Sequence, residues 1–189
     1  MIILASSSER RITLLKDAGV EFKVVPSNID EVIDIKASPL ENALNLSKLK
    51  AYDVFNKNTN DVIIAADTIV TYKNEIFGKP KDSEDAFNIL KRLSNKTHEV
   101  ITAVTIINSV KEESFYCKTK VTFKDLNDED ILEYIATEEP FGKAGCYAIQ
   151  GIGKDLIETF DGDLLNVVGL PLKDVLKKLE EFKEENIEK

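Results

Sequence analysis

The order of strand-like and helix-like patterns in the sequence predicts an α/β fold. Residues 1–4 form a short apolar run, residues 5–11 are polar and turn-like, and residues 12–18 carry apolar side chains at helical spacing. A second apolar run, 62–66, lacks alternation, which is typical of a strand buried on both faces. Two β-branched segments between residues 97 and 123 predict an antiparallel pair.

Composition and charge narrow the class of protein. The chain has 189 residues, of which 43% are hydrophobic and 31% are charged, and we predict a single domain over residues 1–189. No apolar run approaches the ~20 residues that span a bilayer, and the N-terminus lacks a secretory pattern, so we expect a cytoplasmic protein with no membrane partner. The net charge of −9 argues against binding of a nucleic acid polymer.

The polar segment 5–11 predicts an anion site at a helix N-terminus. It combines three serine hydroxyls with the guanidinium groups of Arg10 and Arg11. Because arginine in a first helical turn opposes the helix dipole, a negative ligand such as a phosphate chain would compensate it. The alternative is that Ser7 or Ser8 only caps a helix whose arginines point into solvent.

Local signals mark the remaining helices and turns. Ser38-Pro39-Leu40-Glu41 has the pattern of a capping box with proline at the first helical position. The apolar stripe of this helix runs from Leu40 to Ala51, and Lys48 and Lys50 fall outside it. One of these lysines could reach a site rather than water, although a solvated lysine is the commoner outcome. We also predict a short strand at 22–26, a hairpin turn at Lys73-Asn74, a helix capped by Asp82 or Ser83 and a helix capped by Asn127. Residues 166–172 are predicted to open the last helix, with Pro171 near its first position and a solvated end from Lys177.

Two further segments carry candidate functional residues. The buried strand predicted at 61–68 ends on Asp67 and Thr68. Because open α/β sheets bind ligands at the carboxyl ends of their strands, Asp67 is a candidate for chemistry, with a turn aspartate as the alternative. In residues 138–151, glycines and a lone glutamine, Gln150, bracket a short apolar run, which indicates close backbone approach.

The histidine and the cysteines predict no separate site. His98 is the only histidine, and no Ser-His-Asp arrangement can be assembled around it, so we expect a structural role. Cys117 and Cys146 are isolated, without a C-x-x-C pattern, and are predicted to be small core residues.

Five motifs, in this order, resemble those of the Maf family of nucleoside triphosphate pyrophosphatases, also called septum formation inhibitor proteins. The resemblance extends from Ile2 to about the last helix. The motifs are Ala5-Ser6-x-Ser8-x-Arg10-Arg11, Ala65-Ala66-Asp67-Thr68, Gly78-Lys79-Pro80, Lys143-Ala144-Gly145-x-Tyr147-x-Ile149-Gln150-Gly151 and Asn166-Val167-Val168-Gly169-Leu170-Pro171.

The resemblance implies a fold, a reaction and a set of functional residues. The fold is Maf-like (ITPase-like), with a long twisted mixed sheet that is flanked by helices and forms a deep cleft between two lobes. The reaction is hydrolysis of dTTP and UTP to the nucleoside monophosphate and pyrophosphate by a homodimer that uses Mg²⁺ or Mn²⁺. By this resemblance the catalytic residues are Asp67, Lys50 and Lys79, the substrate-binding residues are Ser8, Arg10, Arg11, Thr68 and Gln150, and the metal ligands are Glu31 and Asp67.

The side chain of Gln150 also suggests how the base is read. Its amide can accept a hydrogen bond from N3–H of uracil or thymine and donate one to a neighbouring carbonyl. The alternative is that Gln150 only ties down the loop before Gly151.

Two residues depart from the family pattern, and two other functions stay open. Glu9 stands where the family usually has proline, and Gly142 stands where an acidic residue commonly precedes Lys-Ala-Gly. The implied role is to limit incorporation of modified nucleotides, with a link to cell division arrest. The alternatives are a nucleotide-binding regulator of septum formation without turnover, and a house-cleaning pyrophosphatase for other non-canonical nucleotides such as ITP.

Overall fold

The computed structural model describes residues 1–184 and has the predicted mixed α/β architecture. Within these residues the chain forms seven strands, six α-helices and two short 3₁₀ helices, Ala144–Cys146 and Ile152–Leu156. The strands are β1 (Ile2–Leu4), β2 (Lys23–Val24), β3 (Val62–Tyr72), β4 (Glu75–Phe77), β5 (Thr97–Ile107), β6 (Glu112–Phe123) and β7 (Ile157–Asp161). The helices are α1 (Glu9–Asp17), α2 (Pro39–Phe55), α3 (Ser83–Leu93), α4 (Asp128–Ala136), α5 (Leu164–Val168) and α6 (Leu172–Glu184).

The strands form one mixed sheet in the order β2-β1-β3-β5-β6-β7, and β4 also pairs with β3. β1 is parallel to both β2 and β3, whereas β4 and β7 are antiparallel to their partners. β5 and β6 form the predicted antiparallel pair, in which the Thr97 and Thr122 hydroxyls are hydrogen-bonded at 2.8 Å and the Thr105 and Ser114 hydroxyls at 2.9 Å. The expected mixed sheet is therefore confirmed.

The chain divides into two compact units, each assembled from separate segments. The first unit contains Met1–Asp67, Thr102–Cys117 and the chain from Gly169 onward. The second unit contains Thr68–Ile101 and Lys118–Val168. β3, β5 and β6 each contribute residues to both units. A single domain over 1–189 and the cleft stay predictions.

A cluster of small and β-branched side chains forms a core in the first unit, on β1 and the residue after it, β3, the end of β5 and α2. Burying one aliphatic side chain of this kind stabilises the fold by roughly 1.5–3 kcal/mol. The cluster contains Ile3, Ala5, Ala51, Val54, Ile63, Ala65 and Ile107.

Helix α2 begins as predicted, but one of its lysines is not where we expected it. The Ser38 side chain accepts from the Glu41 N–H at 3.2 Å, and the Glu41 carboxylate accepts from the Ser38 N–H at 2.7 Å. Lys48 is exposed, whereas Lys50 is buried, so the prediction that Lys50 falls outside the stripe was wrong. Lys50 follows the buried Ala43 by seven residues, which is about two helical turns and therefore the same face.

The second unit has its own core around α3, α4 and the strands beside them. Asp82 caps α3, and Asn127 forms a capping box at the start of α4, as predicted. The turn between β3 and β4 has positive φ at both Lys73 and Asn74, as a type I′ hairpin requires.

Strand β3 does not end at Asp67. It continues through Asp67 and Thr68 to Tyr72, so the prediction of a strand ending on these residues was wrong. β1 pairs with β3 only as far as Leu4 opposite Ile64, and β4 pairs with the far end of β3. β1 therefore ends beside the middle of β3, three residues before Asp67.

The last helices also differ from the prediction. Residues 164–168 form the separate helix α5, because Gly169 has a φ of 130° that no helix accommodates. Phe182 near the end of α6 is fully buried, so the tail from Lys177 is not simply solvated. The rest of that predicted tail, residues 185–189, lies outside the described residues. Strand β2 is also shorter than predicted, since it covers only Lys23–Val24.

Candidate active site

The candidate site in the first unit starts where β1 ends. The Ala5 N–H donates to the Ile64 carbonyl at 2.8 Å and continues the ladder for one residue past β1. The Ser6 hydroxyl then accepts from the Ser8 N–H at 3.2 Å and from Arg11 Nη1 at 3.2 Å. This turn connects β1 to the N-terminus of α1.

Ser8 precedes α1 in the N-cap position, but its hydroxyl is not used as a cap. The side chain of Ser8 caps no backbone N–H in residues 1–184, and it is half-buried. Intrahelical bonding begins with the Ile12 N–H, which donates to the Ser8 carbonyl at 3.0 Å. The first turn of α1 therefore directs backbone N–H groups toward its N-terminus, where an anion is favoured.

The two arginines of this turn differ in environment. Arg11 is buried, and its Nε donates to the Gly169 carbonyl at 2.8 Å, which ties α1 to a residue 158 positions away. Burial lowers the pKa of Arg11, and nearby Arg10 lowers it further, whereas Asp67 and Glu31 raise it. Arg10 is half-buried, and burial lowers its pKa as well. Both arginines stay charged, because a guanidinium group is not deprotonated in proteins. Arg11 interacts electrostatically with Asp67 and Glu31.

Lys50 connects the two predicted metal ligands. Its Nζ lies 2.7 Å from Asp67 Oδ1 and 3.0 Å from Glu31 Oε1. Lys50 and Asp67 are 7% and 5% exposed, so this pair is shielded from water, whereas Glu31 is exposed. Burial raises the pKa of Asp67, and the charges of Lys50 and Arg11 oppose that rise without cancelling it.

The donor set suits a hard divalent cation. Two carboxylate oxygens, from Glu31 and Asp67, face the same ammonium group, so a positive charge at this point is already favoured. Mg²⁺ is commonly held by one or two carboxylates together with water and substrate phosphates. No group of three or more acidic, histidine or cysteine side chains that could hold a metal occurs among the described residues.

The structure places the other three predicted residues in the second unit. Thr68 is half-buried on β3, and Lys79 and Gln150 are exposed. The Gly78 carbonyl accepts from the Gly145 N–H at 3.2 Å, which anchors the backbone just before Lys79. A Cβ built on Gly145 would come within 2.8 Å of Val70 Cγ1, so the predicted close backbone approach is confirmed here.

The histidine and cysteines lie outside this chemistry. His98 is buried, and its Nε2 is 2.8 Å from the Tyr147 hydroxyl. Burial lowers the pKa of His98 to about 4, so it is neutral at pH 7, and its structural role is confirmed. Cys146 is buried as predicted, but Cys117 is only half-buried, so the prediction of a core position was wrong for Cys117.

One contributor to the site was missed by sequence reasoning, the Gly169 carbonyl, which accepts from Arg11. Ser6 was predicted only as one of three serine hydroxyls, and the structure shows that its hydroxyl accepts from Arg11 and from the Ser8 N–H. Gly169 belongs to a motif that carried the family resemblance, and that was its only signal. The contact between Arg11 and Gly169 joins opposite ends of the chain, so no local pattern reveals it.

None of the helices in residues 1–184 is long and apolar enough to cross a membrane.

Known proteins resemble this chain in sequence and in structure. A protein named dTTP/UTP pyrophosphatase from Caldicellulosiruptor bescii is 51% identical over 177 residues, which cover 90% of this chain and 89% of that protein. A Bacillus cereus protein of the same name is 44% identical over 181 residues, covering 96% and 95% of the two chains. The Staphylococcus aureus Ham1 structure superposes with a TM-score of 0.52 at 15% identity, covering 82% of this chain and 79% of that one, and shows a shared fold alone. Because the family model described as Maf-like protein matches residues 1–182, the chain belongs to the Maf family.

Proposed function

We propose that this protein is a nucleoside triphosphate pyrophosphatase that hydrolyses dTTP and UTP to the nucleoside monophosphate and pyrophosphate. The observation that carries the proposal is the buried Asp67–Lys50 pair beside the N-terminus of α1, in a chain that belongs to the Maf family. The names of the relatives supply the substrate class.

The phosphate chain is bound by the positive end of α1. Ser8 offers a hydroxyl that caps no backbone N–H among the described residues, and the first turn of α1 offers backbone N–H groups. Arg10 and Lys79 add positive charge. Because the backbone N–H groups of α1 are fixed before the reaction, they stabilise charge that builds up on phosphate oxygens in the transition state.

Asp67 is the general base. It accepts a proton from a water molecule while the water oxygen bonds to the α-phosphorus and the bond to the pyrophosphate oxygen breaks. Burial raises the pKa of Asp67, which strengthens it as a base, and the charge of Lys50 opposes that rise. Lys50 also fixes the orientation of the carboxylate through its 2.7 Å contact.

Glu31 and Asp67 would hold a divalent cation, Mg²⁺ or Mn²⁺. When bound, this cation supplies charge neutralisation at the phosphate oxygens and lowers the pKa of bound water. Lys50, which lies between the two carboxylates, limits their mutual repulsion.

Gln150 reads the base. Its amide accepts from N3–H of uracil or thymine and donates to a ring carbonyl, supplemented by Thr68 and Arg11. Cytosine has no N3–H, so the same pose leaves hydrogen-bonding groups unpaired. Each unpaired group costs roughly 1–3 kcal/mol, which corresponds to a loss of about 5- to 150-fold in kcat/KM.

A nucleotide panel tests the proposal. Pyrophosphate release is measured with Mg²⁺ for dTTP, UTP, CTP, ATP and GTP, in the wild type, in Gln150→Ala and in the control Lys154→Ala, which alters an exposed neighbour. We expect dTTP and UTP to be preferred, and the preference to fall only in Gln150→Ala. Absence of turnover with all five nucleotides supports a sensor of septum formation, and purine preference supports a house-cleaning enzyme for nucleotides such as ITP.

We also propose a cytoplasmic homodimer that limits incorporation of modified nucleotides and acts on septum formation. The oligomeric state is measured by light scattering during size-exclusion chromatography, where a dimer has a mass of twice 21.2 kDa. The link to septation is tested by cell length after overexpression of the wild type and of Asp67→Asn.

A further inference from the structure

The loop that carries Gln150 is a tight turn in the second unit. The Gly151 N–H donates to the Ala148 carbonyl at 3.1 Å, which closes a four-residue turn with Ile149 and Gln150 at its centre. Gln150 itself is exposed. A side chain that selects among bases must be held within roughly 0.5 Å of its working position, so the turn needs an anchor.

The Glu139 carboxylate supplies that anchor through three hydrogen bonds. Its Oε1 accepts from the Ile152 N–H at 2.8 Å, and its Oε2 accepts from the Gly153 N–H at 2.7 Å. The same Oε2 accepts from the Tyr134 hydroxyl at 2.7 Å. Glu139 thus binds the two residues that follow the turn and joins them to α4.

Glycine positions make this fit close. A Cβ on Gly151 would overlap the Glu139 carboxylate, so only glycine lets the carboxylate lie against the turn. A Cβ on Gly153 would come within 2.8 Å of both the Tyr134 hydroxyl and the Ala148 carbonyl. The Ala148 N–H, at the start of the turn, donates to the Tyr134 hydroxyl. The N–H groups of Ile152 and Gly153, after its end, donate to Glu139.

Glu139 accepts these bonds in its ionised form. Burial raises its pKa, but the bonds from Tyr134, Gly153 and Ile152 and the charge of Lys143 outweigh that effect, and the pKa lies below its usual range. The Lys143 ammonium also donates to the Glu139 backbone carbonyl at 2.7 Å, which fixes the backbone of this residue.

We infer that Glu139 is a positioning residue for base selection, which holds the turn that presents Gln150. Glu139 is not itself a catalytic residue, because it acts through the turn. The inference rests on the proposed function, in which Gln150 reads the base.

The test variant is Glu139→Gln. An amide presents one oxygen and one NH₂ group, so one of the two backbone N–H groups of Ile152 and Gly153 faces a donor instead of an acceptor. Tyr134→Phe is a milder second variant, because it removes one donor and keeps the ring. Glu138→Gln is the matched control, since Glu138 is the exposed neighbour of the same type.

The readout is the ratio of kcat/KM for UTP to that for CTP, measured beside the thermal midpoint of each variant. We expect Glu139→Gln to lower this ratio about tenfold, mainly through a higher KM for UTP. Tyr134→Phe should lower it less, and Glu138→Gln should leave it unchanged. In a Gln150→Ala background, Glu139→Gln should cause no further loss of the ratio, because both changes remove one reading interaction.

The outcomes separate this inference from the proposed function. A wild type that does not prefer UTP over CTP overturns both. A selective wild type whose ratio is unchanged in Glu139→Gln and in Tyr134→Phe overturns the positioning role alone. An equal loss of kcat/KM for every nucleotide, with the ratio intact, also overturns it, because a purely structural role predicts that result. If Glu139→Gln does not fold, Tyr134→Phe tests the inference: a lowered ratio supports the positioning role, and an unchanged ratio overturns it.

Discussion

Replacing Lys50 with methionine tests whether the buried cation holds the site together. The change removes the ammonium that lies 2.7 Å from Asp67 Oδ1 and 3.0 Å from Glu31 Oε1, and it keeps a side chain of similar length. Asp67 then remains buried beside a second carboxylate, with Arg11 as the nearby positive charge.

The expected loss of stability follows from this geometry. Removing one partner of a buried ion pair costs about 3–5 kcal/mol. Glu31 is exposed and can turn into water, and Arg11 partly compensates Asp67, so we expect about 3 kcal/mol at pH 7. For a chain of this size that loss lowers Tm by about 6–12 °C.

The loss should shrink in acid. Burial raises the pKa of Asp67, and Lys50 opposes the rise more strongly than Arg11 does, so Lys50→Met raises the pKa of Asp67 further. A carboxyl whose pKa is higher in the folded than in the unfolded protein stabilises the fold below its unfolded pKa. This stabilisation is lost as pH rises through the folded pKa. The variant should therefore recover stability relative to the wild type as pH falls from 7 toward 5.

Thermal and urea unfolding at pH 5 and pH 7 measure these changes, and pyrophosphate release measures activity. The matched control is Lys48→Met, because Lys48 lies on the same helix but pairs with Glu112 at the surface, where an ion pair contributes about 0–1 kcal/mol. We expect kcat to fall about 10²–10³-fold in Lys50→Met only, and the acid limb of its kcat/KM profile to move to higher pH. Equal stability and activity of the two variants would refute the reasoning.

Three other predictions concern the base, the cation and a close backbone contact. Asp67→Asn should keep the fold and much of the nucleotide affinity but lower kcat by at least ~10²–10⁴-fold, and near-wild-type hydrolysis would remove Asp67 from the mechanism. Chelation with EDTA should stop pyrophosphate release and added Mg²⁺ or Mn²⁺ should restore it, whereas full activity in EDTA would show that the basic side chains suffice. Gly145→Ala should destabilise the protein by about 2–4 kcal/mol in urea unfolding, because it adds a contact with Val70 to the cost of positive φ. Gly142→Ala, which has positive φ but no neighbour within 4 Å of a built Cβ, should cost only about 1–2 kcal/mol, and equal losses would exclude the contact as the cause.

Local features of the chain were determined by the sequence alone. The capping boxes at Ser38 and Asn127 and the hairpin turn at Lys73-Asn74 involve residues no more than three positions apart. Their energies depend on backbone geometry that the same few residues create, so the sequence predicts them well. The motifs also identified the family, because they record residue types in order and do not require contacts.

Only the tertiary structure decided which of these residues meet. Lys50, rather than Lys48, is buried because α2 packs one face against β1 and β3. The position of Lys50 beside Asp67 follows from that packing. Arg11 reaches Gly169, and Glu139 reaches Gly153, across 158 and 14 positions of the chain. Such contacts depend on how distant segments pack, because a hydrogen bond forms only when both groups are brought within about 3 Å, and no local periodicity encodes that distance.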